Sequence, residues 1–133
     1  MEYLAPGLSP EELSGVSHLA LAHVGDGVYE LLVRTWLCCH GKATNRTLHR
    51  ETVSRVCAAA QSAAFGRIEA LLTEEEITVY RQARNADVGS MPRNASPGDY
   101  HRATGLEALF GWLWLAGRRD RIEALFDRIM EEE

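Results

Sequence analysis

The chain contains no run of 18 apolar residues, so no segment reads as a membrane span. Its first ten residues, M-E-Y-L-A-P-G-L-S-P, lack the basic region and apolar core of a secretory leader, and a cytoplasmic protein is expected, in either a bacterial or an organellar setting. Cysteine is scarce. The three present, Cys38, Cys39 and Cys57, are odd in number with two adjacent, which argues against a disulfide framework and for a reducing compartment. Cys38-Cys39-His40 lacks the second ligand pair of a zinc site, so these thiols are expected to be buried near a helix end. No stretch alternates with period two long enough to propose a strand. The expected fold class is therefore all-α.

Disordered and collagen-like biases are also missing, with hydrophobic residues at 46% and charged residues at 25%. At 133 residues the chain reads as a single domain, 1–133, able to bury about two-thirds of its unfolded surface without covalent staples. Its net charge of −5 speaks against a nucleic-acid partner, which is held through basic patches and counterion release. The distribution reverses that impression. From Leu31 to Ile68 six cations (Arg34, Lys42, Arg46, Arg50, Arg55, Arg67) face one anion, Glu51, a local +5. From Tyr80 to Arg102 four arginines face Asp87 and Asp99, a local +2. The middle of the chain can present a basic face while the ends and Glu74-Glu75-Glu76 keep the whole acidic.

Ser9-Pro10-Glu11-Glu12 is a capping box with proline at the first helical position, and it starts a short helix. Leu19, Leu21, Val24, Val28, Leu31, Leu32 and Leu37 then recur at helical spacing, predicting a helix to about Cys39 that ends near Gly41. Gly25 and Gly27 each cost about 1 kcal/mol inside a helix, which predicts a close approach to the backbone there. Arg46 to Leu72, alanine-rich and without proline, predicts one long basic-faced helix, bent near Gly66, with Val53, Val56, Ala60, Ala64, Ile68 and Leu71 along its apolar stripe. Thr73 to Glu76 repeats the capping box and opens a helix to about Asn85, its glutamates reading as solvated first-turn acids. Residues 86–98, with two glycines and two prolines, form a loop long enough to suggest a function. Asp99 is expected to cap a helix to Leu115, and Arg118 to Glu132 forms a last amphipathic helix with Ile122, Leu125, Phe126 and Ile129 inward.

Two carboxylates stand out. Asp26 lies inside L-A-L-A-H-V-G-D-G-V-Y-E-L-L, with His23 and Glu30 on roughly its face, and Glu107 lies inside Y-H-R-A-T-G-L-E-A-L-F-G-W-L-W-L. A charge on an apolar helix needs a partner or a cation. Two hard oxygen ligands from separate helices suit a Mg²⁺-dependent phosphoryl-transfer site. Periodicity alone leaves open the plainer possibility that each is a core acid satisfied by an arginine of another helix.

Five ordered segments add a resemblance. Ala22-His23-Val24-Gly25-Asp26-Gly27-Val28-Tyr29-Glu30 resembles the Y-h-G-D-A-V-Y-E signature of the Mini-ribonuclease III family, where h is apolar, and Tyr100 to Leu113 resembles its Y-x-x-A-T-x-F-E-A-L-I-G-Y-L. Leu48-His49-Arg50 with Val56 to Gln61, then Arg81 to Ala86, then Pro92-Arg93-Asn94 match three more segments in order, so the likeness spans about Ser17 to Leu125. The resemblance implies an all-helical homodimeric endoribonuclease that cleaves double-stranded RNA with Mg²⁺ and leaves 5′-phosphate and 3′-hydroxyl ends. It aligns Asp26 with the catalytic aspartate and Glu107 with the metal-binding glutamate. Ribonuclease III proper carries further acids where this chain has Ala22 and Thr104, a thinning shared by the minimal branch, so metal is expected to bind weakly without RNA. A target in precursor large-subunit ribosomal RNA, with help from a large-subunit ribosomal protein, is also suggested.

Duplex binding then falls to the catalytic domain itself, through phosphates and 2′-hydroxyls. The expected contacts are Arg84, Asn85, Arg93 and Asn94 at the ends of the long loop, and a second surface of Lys42, Arg46, His49, Arg50 and Arg55. Phe110, Trp112, Trp114 and the face around Val28 are expected at a dimer interface. The competing readings are a non-catalytic helical RNA-binding or ribosome-assembly module and a small helical dimer that mediates protein contacts.

Overall fold

A computed structural model describes residues 1–41, 43–86, 91 and 96–131. Among these described residues seven α-helices follow one another: α1 (Pro10–Ser14), α2 (His18–His40), α3 (Leu48–Val56), α4 (Ala58–Ile68), α5 (Glu74–Arg84), α6 (Pro97–Leu115) and α7 (Arg119–Met130), with a 3₁₀ turn at Glu69–Leu71. Among the described residues there is no strand, and no helix is long and apolar enough to cross a membrane.

The local signals hold where they are strongest. Ser9 Oγ accepts from the Glu12 N–H at 3.1 Å and Glu12 returns the bond to Ser9 N–H at 3.0 Å, closing the box at α1. Gly41, at φ 60°, ends α2 in the left-handed conformation that glycine tolerates. Thr73 and Glu76 form the second box at α5. The cap of α6 is Ser96, whose Oγ accepts from the Asp99 N–H, rather than Asp99, which sits inside the first turn and pairs with Arg102 at 3.4 Å.

The long helix expected over 46–72 is instead α3, α4 and the 3₁₀ turn. Cys57 is extended (φ −66°, ψ 160°) and serves as the C-cap of α3 and N-cap of α4. Nothing local marks this corner, because Ala58-Ala59-Ala60 favours helix. A side chain supplies what the backbone gives up: Gln61 Nε2 donates to the Val56 carbonyl at 3.1 Å.

α6 is the centre of the fold, packed against α2, α4, α5 and α7. Leu106, Leu109, Phe110 and Leu113 are fully buried, so Phe110 belongs to the core and not to an interface, while Trp112 and Trp114 are half-buried against it. α2 presents Leu21, Gly25, Tyr29, Val33 and Leu37, a four-residue repeat that leaves Leu19 and Leu31 on the solvent side. Val53 and Leu71, also expected inward, are exposed because the break at Cys57 changes the face that each segment presents. Tyr29 meets Phe110 and Phe126 edge-on at 5.4 and 5.8 Å, and Ile122, Leu125, Phe126 and Ile129 of α7 all point inward as expected.

Two further expectations are corrected. Cys38, Cys39 and Cys57 are exposed, since each lies at a helix end on the outer face. Glu76 is not a solvated acid: it is 3% exposed and is held bidentately by Arg121, Nε to Oε2 and Nη2 to Oε1 both at 2.8 Å. Most of the loop expected over 86–98 lies outside the described residues, and its last two positions belong to α6.

Candidate active site

The site is built at the crossing of α2 and α6. A Cβ placed on Gly25 would stand 1.6 Å from the Glu107 carbonyl oxygen, and one on Gly111 would stand 2.0 Å from that of Leu21. Only a pair of glycines lets these backbones touch. Gly27, expected to serve the same purpose, faces open space.

The crossing brings the side chains of Asp26 and Glu107 together. The two act on one another: the Glu107 acid is pushed up from 4.5 to about 8, first by burial and then by the negative charge of Asp26, with the Gln61 hydrogen bond opposing the rise. Asp26, expected as a buried charge, is exposed, so the desolvation falls on Glu107. Gln61 Nε2 donates to Glu107 Oε2 at 3.4 Å. A cavity of about 600 Å³ opens beside Glu107, lined by Gln61, Ser96, Asp99, Tyr100 and Thr104 among others.

Neighbouring groups add little further charge. Glu30, one turn along α2, is engaged by Arg34 at 2.8 Å. Ala22 is buried and apolar, and the Thr104 hydroxyl donates to the Tyr100 carbonyl at 3.0 Å. Among the described residues no group of three or more histidine, cysteine, aspartate or glutamate side chains is placed to share a metal. The two-carboxylate set nevertheless fits a hard divalent cation: both donors are oxygens, and a cation held there would offset both the burial and the Asp26 charge that raise the Glu107 acid.

The expected RNA-contacting residues fall into two regions. Arg84 and Asn85 lie at the end of α5, joined by a 3.1 Å hydrogen bond, and with Gly98, His101 and Arg102 they line an open cavity of about 540 Å³. Arg46, just before α3, and His49 and Arg50 in its first turn are exposed. Arg55 departs from that surface: it is half-buried, with its guanidinium 4.9 Å above the Trp36 ring. Lys42, Arg93 and Asn94 lie outside the described residues. His101, Arg102 and Gln61 were not singled out from the sequence. For Gln61 the available signal is its place at the end of the family-like segment Val56 to Gln61.

Known proteins place this scaffold. The ribonuclease III domain family matches residues 19–118, which defines the chain as a ribonuclease III-type endoribonuclease, a nuclease and hydrolase. A crystal structure of a Fusobacterium nucleatum protein superimposes with a TM-score of 0.80 at 28% identity, covering 88% of this chain and 95% of that one. The Mini-ribonuclease 3 of Clostridium tetani is 35% identical over 129 residues (96% of this chain, 85% of the relative), and that of Symbiobacterium thermophilum is 41% identical over 104 residues (78% and 80%). The chain belongs to the Mini-ribonuclease 3 family.

Proposed function

We propose that this endoribonuclease cleaves double-stranded RNA through one carboxylate pair per chain, Asp26 and Glu107, with Mg²⁺ as the cation. The observation that carries this reading is the meeting of those two acids across the Gly25–Gly111 crossing, beside a cavity open to solvent. When bound, the cation supplies a water of lowered pKa and positive charge at the scissile phosphate for in-line displacement. Asp26 is exposed and open to a cation from solvent. Glu107, half-buried, must first release the proton that burial and Asp26 favour. The products carry 5′-phosphate and 3′-hydroxyl ends.

Arg84, Asn85, Arg93, Asn94, Lys42, Arg46, His49 and Arg50 contact the phosphates of the duplex. A single domain, 1–133, acts as a homodimer that puts one carboxylate pair on each strand, and exposed Leu31 and Val53 on the packed helices α2 and α3 support such an interface. The biological substrate is precursor large-subunit ribosomal RNA, with a large-subunit ribosomal protein assisting, in the cytoplasm. Incubation of the protein with a structured duplex RNA, with and without Mg²⁺, followed by mapping of both ends, tests the reading. Cleavage that persists in a chelator, or that leaves 3′-phosphates, overturns it.

A further inference from the structure

Gln61 is 1% exposed on α4, and its amide makes an unusual set of contacts. Nε2 donates to two oxygens, the Val56 carbonyl at 3.1 Å and Glu107 Oε2 at 3.4 Å. The orientation follows from the Val56 carbonyl, which can only accept, so a flipped amide would set oxygen against oxygen there. Oε1 is buried with no hydrogen-bond partner among the described residues. A glutamine held only to satisfy a core would not leave its carbonyl unpaired, since an unmet buried acceptor is costly. All of the hydrogen bonding of this side chain goes to the α3–α4 corner and to Glu107.

We infer that Gln61 is a positioning residue: it ties the Glu107 carboxylate to the Val56 carbonyl at the helix corner, and so sets where that carboxylate stands when a cation is held. This rests on the cation binding at Asp26 and Glu107 proposed above. The Glu107 side chain stands beside an open cavity with Gln61 as its tie, and groups that orient a ligand in this way commonly contribute 10- to 100-fold in metal affinity.

The chain has two glutamines, Gln61 and Gln82, and Gln82 is exposed on α5, so ¹⁵N-glutamine labelling yields two side-chain amide pairs with an internal reference. Titration of the wild-type protein with millimolar Mg²⁺ is expected to shift the Gln61 pair together with the Asp26 backbone amide and to leave Gln82 in place. A response at Asp26 without one at Gln61 overturns the inference alone. No response at either overturns the cation site and the inference with it. In Gln61→Leu, the Mn²⁺ dissociation constant measured without RNA is expected to rise about tenfold, with kcat reduced and KM for duplex RNA held. A folded Gln61→Leu protein that loses thermal stability but keeps wild-type Mn²⁺ affinity overturns the assignment in favour of a corner cap. Should that variant not fold, the wild-type titration decides.

Discussion

Gly25 and Glu107 are in backbone contact, so near that a methyl group on Gly25 would stand 1.6 Å from the Glu107 carbonyl oxygen. The catalytic geometry proposed for this chain therefore depends on a hydrogen atom in place of a side chain. Gly25→Ala must push α2 and α6 apart, with an expected loss on the order of 3 kcal/mol in urea unfolding and of activity in any protein that still folds. Gly27→Ala, with open space around it, is expected to stabilise by roughly 0.5–1 kcal/mol through helix propensity alone. Equal effects at the two glycines would contradict the crossing.

Asp26→Asn and Glu107→Gln keep shape and remove charge. Each is expected to reduce the rate of Mg²⁺-dependent duplex cleavage by about 10²-fold or more, on the scale of losing one transition-state stabiliser. Single-turnover assays at saturating enzyme separate this from weakened RNA binding, and a wild-type rate in either variant would remove that residue from the site.

The raised acid of Glu107 makes the metal-free protein pH-sensitive in a defined direction. Between its ordinary 4.5 and about 8 the folded chain keeps a proton that the unfolded chain has lost. Folding is then linked to proton uptake, and metal-free stability contributed by this group falls as pH rises through that window. Glu107→Gln is expected to flatten the dependence in thermal melts, and Mg²⁺ affinity of the wild type is expected to rise with pH up to about 8, as the proton that competes with the cation leaves.

Glu76 behaves oppositely. Burial alone would raise its acid, but the Arg121 and Thr73 hydrogen bonds outweigh burial and hold it below 4.5. Its stabilisation is present above the unfolded value and is lost as pH falls through the lowered folded one. Arg121 is 24% exposed and its carboxylate partner 4%, so Arg121→Ala, which leaves a buried carboxylate unpaired, is expected to cost about 2–4 kcal/mol at pH 7, somewhat less than a wholly buried pair. Denaturant midpoints at pH 7 and pH 4 check both magnitude and sign.

Cations that meet phosphates, whether exposed like Arg50 or half-buried like Arg84, should reveal themselves through salt. Arg50→Glu and Arg84→Glu are each expected to weaken duplex RNA binding with little regard to sequence and to lower the salt slope by about one or more per site. Arg55→Ala, whose cation lies over Trp36, is expected to change stability more than the slope.

The capping boxes at Ser9 and Thr73, the glycine stop at Gly41 and the inward face of α7 are legible in the sequence because each depends on neighbours within four residues. The motif around Asp26 and the one around Glu107 likewise announce the family. Periodicity failed at Cys57, at Glu76 and at Leu31. A corner held by Gln61, an acid neutralised by Arg121 and a face chosen by contact with α6 are all settled by residues distant in the chain.

By itself, then, the sequence determined an all-helical chain, the capped ends of α1, α2 and α5 and the two acids worth pairing, since caps, propensity and motif order act locally. Only the tertiary structure decided that Gly25, and not Gly27, carries the close approach, that Glu107 rather than Asp26 bears the burial, and that Gln61 holds the glutamate. The physical reason is common to all three: backbone contact, desolvation and a shared hydrogen bond arise only when α2, α4 and α6 are brought together.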